Sequence, residues 1–318
     1  MASNAIQSVL GILVLIGVGY ALYGCEWFGA KGMALFSKFA VCIAIPCYML
    51  FNVYTICETP EQLLRLLKAL PIPTSIIILN LVLAVLLSRL FNIKSSRRGV
   101  FINSVGFCNA VIVGFPVVEA LMGSDALPDA IVFYFANTML FWTIGVYLLR
   151  SGKEKSEGAP IDLLCNVKKM FSPALVACFI AAFMTLGDIE LPKAVFFPIE
   201  QLSRSTTSIS MIFIGCVVRS TDFKSIEFSK DLILVSLMRF IFSPLIMFLF
   251  CLILPISTRM KQTFFVFSVM PAMTQLGIMA KETGSDYRFA SVAVTVTTLL
   301  SMLFIPLYMW LMQSIDVF

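Results

Sequence analysis

Ten strongly apolar segments follow one another along this chain and leave only short polar stretches between them. A helix of roughly 20 mostly apolar residues is long enough to cross the hydrocarbon core of a bilayer. Ten such helices use nearly all of the 318 residues, of which 59% are hydrophobic. The chain is therefore predicted to be an all-α integral membrane protein. The predicted spans are 5–23, 33–56, 70–91, 98–123, 128–149, 171–187, 195–218, 231–254, 262–283 and 287–312.

Lysine and arginine are distributed unequally among the loops that separate these spans. Fifteen fall in alternate loops or in the span ends that border them, and only five fall in the loops between. Because cytoplasmic loops carry the excess of basic residues, this distribution predicts that both termini lie outside the cytoplasm. Each half of the chain then contains five spans, an odd number, so two similar halves insert upside down relative to one another. Inverted repeats of this kind are typical of secondary transporters.

A polar stretch near the midpoint separates the two halves. Its composition predicts a flexible cytoplasmic linker over 151–170, between a first five-helix repeat (1–150) and a second (171–318). The tripeptide Gly-Ser-Asp occurs at 123–125 and again at 284–286. In both halves it follows the fourth span, and this matching place supports an internal repeat.

The fourth and ninth spans carry the signals of interrupted helices. In the fourth, Gly114 and Pro116 follow Asn109, and a break is expected at the proline because it lacks an N–H and clashes with the preceding turn. In the ninth, Pro271 precedes Thr274 and Gln275. Irregular backbone survives in a membrane only where it is buried in protein or lines a cavity. Two breaks at matching positions of two halves therefore predict a substrate site.

The chemistry expected at that site is anion binding. Each half-helix that begins after a break carries roughly +0.5 charge at its N-terminus, and two such ends near the bilayer midplane favour an anion. Asn109, Thr274 and Gln275 are the predicted hydrogen-bonding residues, while Gly114, Pro116 and Pro271 shape the backbone. Prolines also occur inside other spans, at Pro46, Pro198, Pro244 and Pro306, where a simple kink is the alternative interpretation.

Charged residues inside the spans are the next candidates, because an ionised side chain at mid-membrane costs at least about 2.5 kcal/mol. Glu200 and Arg204 share a helix face and form either a self-neutralising pair or a gate or proton relay. Arg239 is a candidate counter-charge for an anion, with snorkelling to the inner face as the alternative. Glu119 is a candidate proton carrier.

The sequence motifs of several other classes of protein, such as zinc proteases and ATP-driven pumps, are absent from this chain. The chain contains no histidine, no HExxH zinc signature and no Walker P-loop, and its nine cysteines include no CxxC pair. No catalytic residue, metal site or cofactor is predicted, and the short basic loops do not suggest nucleic acid. The coupling ion, a proton or sodium, is left open by the sequence.

Three motifs in order resemble those of the auxin efflux carrier family. Residues 109–123 read NAVIVGFPVVEALMG, residues 270–275 read MPAMTQ, and residues 305–310 read IPLYMW. They are similar to the family's fourth-span Asn and Gly-x-Pro motif, its ninth-span Met-Pro motif and its last span. The family usually has Asn where this chain has Gln275. The short central stretch is similar to the bacterial members, such as malonate or malate permeases.

The resemblance implies the ten-helix fold of the bile-acid/auxin transporter superfamily, with helices 4 and 9 broken and crossing. Spans 1, 2, 6 and 7 would form a scaffold, and spans 3–5 and 8–10 a transport domain that moves like an elevator. Asn52, six residues after Pro46, would face the substrate from the scaffold. The implied protein is a homodimeric carrier of small organic anions such as dicarboxylates, in the bacterial cytoplasmic (inner) membrane.

Two alternatives to this function are open. A membrane sensor of the same fold would bind a ligand without moving it across the bilayer, and a sodium-coupled symporter would carry larger organic acids. Flux through proteoliposomes separates a carrier from a sensor.

Overall fold

The computed structural model of the protein describes residues 2–56, 59–150, 171–221 and 228–315, and the regular elements within these ranges are all helices. The α-helices, in chain order, are α1 (Ala2–Tyr23), α2 (Gly29–Phe39), α3 (Ile45–Ile56), α4 (Pro60–Ala69), α5 (Pro71–Leu90), α6 (Ser95–Gly106), α7 (Phe115–Met122), α8 (Leu127–Leu140), α9 (Val146–Arg150), α10 (Pro173–Leu186), α11 (Lys193–Ser220), α12 (Lys230–Leu237), α13 (Ser243–Ile253), α14 (Thr258–Ser268), α15 (Gln275–Thr283) and α16 (Tyr287–Ile315).

Helix occupies each of the ten predicted spans. Within the described ranges, five continuous helical stretches are long and apolar enough to cross a membrane by length and composition, and these are Gly29–Ile56, Glu61–Leu90, Ser124–Arg150, Lys230–Ile253 and Tyr287–Met312. Shorter apolar helices lie at Gly11–Tyr23, Ala110–Met122 and Pro173–Leu186. The chain is therefore a multi-helix membrane protein, and the ten-span inverted arrangement stays a prediction.

Prolines within the helical stretches coincide with local widening of the helix. Pro46, Pro116 and Pro244 each stand two residues after a π-helical segment. Proline lacks an N–H and its ring clashes with the carbonyl one turn earlier, and a π turn is one of the adjustments that lets a helix accommodate such a residue. These helical stretches consequently continue past their prolines. The π-helical segments are Ala40–Ala44, Ala110–Gly114, Phe141–Gly145 and Met238–Phe242.

Three of the apolar helices begin at serine caps. The hydroxyl oxygens of Ser172, Ser229 and Ser257 each accept a hydrogen bond from the backbone N–H three residues later, at 3.3 Å. Such a cap satisfies one of the four N–H groups that a helix start leaves unpaired. The starts of α10, α12 and α14 are thus fixed by local sequence.

The described chain divides into two compact units. Unit 1 comprises Met1–Ala69, Val111–Val132 and Lys169–Thr221. Within it α1 packs along α11, and α3 packs against α10 and α11. Glycine permits the α1–α11 approach, because a Cβ atom at Gly19 would strike the carbonyl of Ile212 and one at Gly215 would strike that of Ile16.

Unit 2 comprises Leu70–Ala110, Phe133–Lys168 and Asp222–Phe318. Within it α6 packs against α5, α9 and α16, and α15 packs against α16. The core is rich in aromatic side chains; the rings of Phe133 and Phe267, for example, stack with centroids 4.5 Å apart. The predicted linker 151–170 lies outside the described residues, so the boundary between the predicted repeats stays a prediction.

Candidate functional site

Two non-helical segments of unit 2 pair with each other. Helix α6 ends at Gly106, and segment 107–109 leads from it towards the next helical turn. Helix α14 ends at Ser268, and segment 269–274 leads to α15. Cys108 and Ala272 form an isolated antiparallel bridge, and the N–H of Asn109 donates to the carbonyl of Pro271 at 2.9 Å. Each segment therefore supplies backbone partners for the other, as buried peptide groups require.

The sequence predicted that the helix of the fourth span breaks at Pro116, and this position is wrong. The non-helical residues are 107–109, and the chain is helical again from Ala110 through Gly114 into α7, where Pro116 is the second residue. The preceding π turn accommodates the ring, so the proline does not end the helix. In the ninth span the proline does lie within the non-helical segment, since Pro271 is in 269–274.

Two polar side chains that the sequence reasoning missed hold these segments in place. Asn137 accepts from the N–H of Cys108 through Oδ1 and donates to the Cys108 carbonyl through Nδ2, both at 3.1 Å. Thr297 accepts from the N–H of Ala272 through its hydroxyl at 3.1 Å. The only sequence signal was a polar residue within an apolar span, which is costly unless it finds a hydrogen-bonding partner.

The predicted substrate residues of unit 2 lie on or beside these segments. Asn109 is 4% exposed and is the last residue of its segment. Thr274 stands at the N-cap position of α15, and Gln275 is the first residue of that helix. The side-chain Oε1 of Gln275 is buried without a hydrogen-bonding partner among the described residues. The side-chain oxygen of Gln275, a hydrogen-bond acceptor, is therefore available to a donor at the N-terminus of α15.

Arg239 is also part of unit 2 and is almost fully buried, with 2% of its surface exposed. Its Nε donates to the carbonyl of Met270 at 2.6 Å, and its Nη1 donates to the carbonyl of Val105 at 2.7 Å. The Cys108 thiol also faces the guanidinium group. Arg239 thus contacts the backbone beside both non-helical segments, and it does not snorkel.

Unit 1 contains the other predicted residues, of which Glu119 has the most specific contacts. One oxygen of its carboxylate, Oε2, accepts from the Thr207 hydroxyl at 2.7 Å and from the Tyr48 hydroxyl at 3.1 Å. Asn52 is buried and donates to the Tyr48 carbonyl at 2.8 Å within α3. Hydroxyl groups of α3 and α11 therefore hold this carboxyl group, and its role as a proton carrier stays a prediction. The role of Asn52 towards a substrate stays a prediction.

Glu200 and Arg204 pair with each other on α11. The Nη2 and Nε atoms of Arg204 lie 2.7 Å and 3.1 Å from Glu200 Oε1. The Arg204 side chain is 69% exposed. The pair therefore has the self-neutralising geometry that the spacing of four residues predicts. Among the described residues, no group of three or more acidic, cysteine or histidine side chains is arranged to hold a metal ion.

Comparison with known proteins identifies the family. A family model described as "Membrane transport protein" matches residues 4–309. The chain belongs to this family of transporters, the auxin efflux carrier family. An uncharacterized transporter of Methanothermobacter thermautotrophicus is 24% identical over 304 residues, covering 95% of this chain and 96% of that protein. An uncharacterized transporter of Methanocaldococcus jannaschii is also 24% identical, covering 96% and 98% of the two chains.

The family match confirms the resemblance inferred from the three motifs and shows that the protein is a membrane transporter rather than an enzyme. Because both relatives are matched over nearly their whole lengths, the chain is similar to them throughout and not only in the motif regions.

Proposed function

We propose that this transporter is a secondary carrier of small organic anions, such as dicarboxylates, that works by elevator-type alternating access. The observation that carries the proposal is the bond from the Asn109 N–H to the Pro271 carbonyl, beside the Cys108–Ala272 bridge. Discontinuous helices that meet in this way are the usual binding elements of secondary transporters.

The chemistry of the two segments favours an anion. The first turn of α15 leaves backbone N–H groups without helical partners, and its N-terminus carries roughly +0.5 charge. Neutral amides at Asn109 and Gln275 add donors without the cost of a buried charge. We propose that the substrate carboxylate is hydrogen-bonded by Asn109, Thr274 and Gln275. Pro271 prevents segment 269–274 from continuing the helix of α14.

Matching helix ends support the two inverted repeats. Gly123 follows α7 with φ +80°, and Gly284 follows α15 with φ +71°, both values that residues with a Cβ atom rarely adopt. These glycines begin the two Gly-Ser-Asp tripeptides. The repeated sequence therefore has a repeated structural role, ending the half-helix that follows each non-helical segment.

The division into units supports a scaffold made from spans 1, 2, 6 and 7, because these helices fall together in unit 1. Residues 111–132, which complete the fourth span and begin the fifth, fall in the same unit rather than with spans 3 and 8–10. In the proposed carrier both termini lie outside the cytoplasm, two copies form a homodimer in the cytoplasmic membrane, and Glu119 is the coupling or gating carboxylate.

The test is counterflow in proteoliposomes loaded with malonate or malate. The wild-type protein should exchange internal substrate for external radiolabelled substrate, and the Asn109→Ala variant should lose this exchange while melting at a similar temperature. A matched control is Gln201→Ala, which removes an exposed amide from the interior of α11, in unit 1. Unchanged counterflow in Asn109→Ala removes Asn109 from the site, and binding without counterflow in the wild type indicates a sensor.

A further inference from the structure

Arg239 is a buried cation with an unusual set of partners. It stands within the π-helical segment Met238–Phe242, and its guanidinium is bonded to two main-chain carbonyls, those of Val105 and Met270. Within the described ranges, no carboxylate forms an ion pair with it. A buried charge is costly unless it is paired or fully hydrogen-bonded, so these carbonyls must offset much of its desolvation.

Both carbonyl partners belong to the C-terminal ends of half-helices. Val105 is in the last turn of α6, which ends at Gly106, and Met270 follows the end of α14 at Ser268. A helix C-terminus carries roughly −0.5 charge from its unpaired carbonyls. Two such ends sum to about −1, which the single positive charge of Arg239 balances. The guanidinium therefore neutralises the negative ends of both interrupted helices at once.

Secondary transporters that couple to sodium hold the ion with unwound backbone carbonyls and half-helix C-termini. The N–H groups of Arg239 donate to two carbonyls of this kind, those of Val105 and Met270. We propose that Arg239 is a built-in cation that occupies the place of a coupling sodium ion, so that this transporter works without sodium. The proposal rests on the carrier function and specifies how that carrier is coupled.

The charge of this cation is permanent. Arginine stays protonated in proteins, and its planar guanidinium offers five N–H donors in a fixed geometry. A coupling ion must bind and be released in each cycle, whereas a tethered side chain is never released. Arg239 consequently keeps the two C-termini together without contributing to the energetics of accumulation.

This position also distinguishes Arg239 from a direct substrate ligand. The guanidinium lies against carbonyl oxygens, which repel a carboxylate, while the proposed anion site is at the N-terminus of α15. Arg239 is therefore a positioning residue that holds segments 107–109 and 269–274.

The first experiment measures the melting temperature of the purified protein in lipid nanodiscs, in sodium chloride and in choline chloride of equal ionic strength. The wild type should melt at the same temperature in both salts. Arg239→Ala leaves the two carbonyls without a cation, so it should melt several degrees lower in choline and recover part of that loss in sodium or in low-millimolar guanidinium. Arg89→Ala is the control, since Arg89 is an exposed arginine of α5 in the same unit.

A second variant covers the case in which Arg239→Ala does not fold. Arg239→Lys keeps the charge but cannot reach both carbonyls with a rigid fork, so it should melt at a lower temperature than the wild type and still not respond to sodium. Specific stabilisation of the wild type by sodium, or an Arg239→Ala protein insensitive to every small cation, overturns the proposal.

The second experiment measures substrate flux in proteoliposomes with sodium replaced by potassium or choline. The wild type should show equal flux in all three salts, and a loss of flux without sodium overturns the proposal. If the wild type transports no carboxylate in any salt, the carrier function fails, while the melting temperatures still decide the role of Arg239.

Discussion

The side-chain amide of Asn137 forms two hydrogen bonds with one residue, Cys108, accepting from its N–H and donating to its carbonyl at 3.1 Å each. This geometry reproduces the pairing that a neighbouring strand would offer. Cys108 lies in the non-helical segment 107–109, where helical partners are missing. Asn137 therefore replaces the helical hydrogen bonds that this buried residue lacks.

We predict that Asn137→Leu destabilises the protein and abolishes transport. The change leaves the N–H of Cys108 buried without this partner, which costs about 1–3 kcal/mol, while the Cys108 carbonyl keeps its hydrogen bond from the Ala110 N–H. The measurements are the melting temperature and carboxylate counterflow. Thr143→Val is a matched control, because Thr143 is exposed on the same helical stretch and bonds only carbonyls of its own helix. An Asn137→Leu protein that melts and transports like Thr143→Val contradicts the prediction.

Hydropathy predicts the positions of the helices closely, but it does not predict the positions of the non-helical segments. The predicted spans 171–187 and 231–254 match helical stretches Pro173–Leu186 and Lys230–Ile253 within two residues at each end. These positions depend on apolar length and on serine caps, both of which are local in the sequence.

The position of the fourth-span interruption depends on distant partners. Residues 107–109 include no proline, and their extended backbone is held by Pro271, Ala272 and Asn137. Pro116 gave the stronger local signal, but the π turn before it accommodates the ring. The end of α6 is therefore decided by tertiary hydrogen bonds, which the hydrophobic pattern of the sequence does not reveal.

A second prediction concerns the carboxylate of unit 1. If Glu119 carries the coupling proton, Glu119→Gln should retain counterflow but lose accumulation driven by a pH gradient. A one-unit gradient supports at most about tenfold accumulation for one proton per substrate, and this ratio should fall to one. The glutamine is suitable because its amide still bonds the hydroxyls of Tyr48 and Thr207 but does not titrate. Accumulation as large as in the wild type would exclude Glu119 as the proton site.

Tyr48→Phe is the companion to that experiment. It removes the 3.1 Å bond to Glu119 and leaves the 2.7 Å bond from Thr207. Because the carboxylate and its hydrogen bond from Thr207 remain in place, accumulation driven by the pH gradient should persist. A complete loss of coupling in Tyr48→Phe would indicate that the tyrosine, rather than the carboxylate alone, is required.

A third prediction follows from the ion pairs at the starts of α6 and α16. Arg97 Nε lies 2.7 Å from Asp286 Oδ2, and Asp286 Oδ1 accepts from the Phe289 N–H at 3.0 Å. Burial alone would raise the pKa of Asp286, but the Phe289 amide and the Arg97 guanidinium outweigh it and hold the pKa below its usual 3.8. A carboxyl with a depressed pKa contributes stability that is present above its unfolded pKa and is lost as the pH falls through the folded one.

The wild type should therefore lose thermal stability as the pH falls below about 5, through the depressed pKa of Asp286. Asp286→Asn should lower the melting temperature at pH 7, by an amount equivalent to about 1 kcal/mol because the pair is partly exposed, and should weaken the acid dependence. Asp125→Asn changes the exposed aspartate of the first Gly-Ser-Asp tripeptide and serves as the control. Identical acid profiles for the wild type and Asp286→Asn would show that this pair contributes nothing measurable.

The last prediction concerns a close backbone contact between α1 and α11 in unit 1. Gly19 of α1 faces the carbonyl of Ile212, and its own carbonyl accepts a weak hydrogen bond from the Cys216 thiol at 3.3 Å. Gly19→Ala inserts a methyl group where backbone already lies, so α1 and α11 must separate, at a cost of about 1–3 kcal/mol. Gly17→Ala is the control two residues away, because a Cβ atom there meets nothing within 4 Å. In a helix that change favours folding by about 0.5–1 kcal/mol. The melting temperature of Gly17→Ala should equal or exceed that of the wild type, and that of Gly19→Ala should be lower. The reverse order would mean that α1 and α11 are not in backbone contact at Gly19.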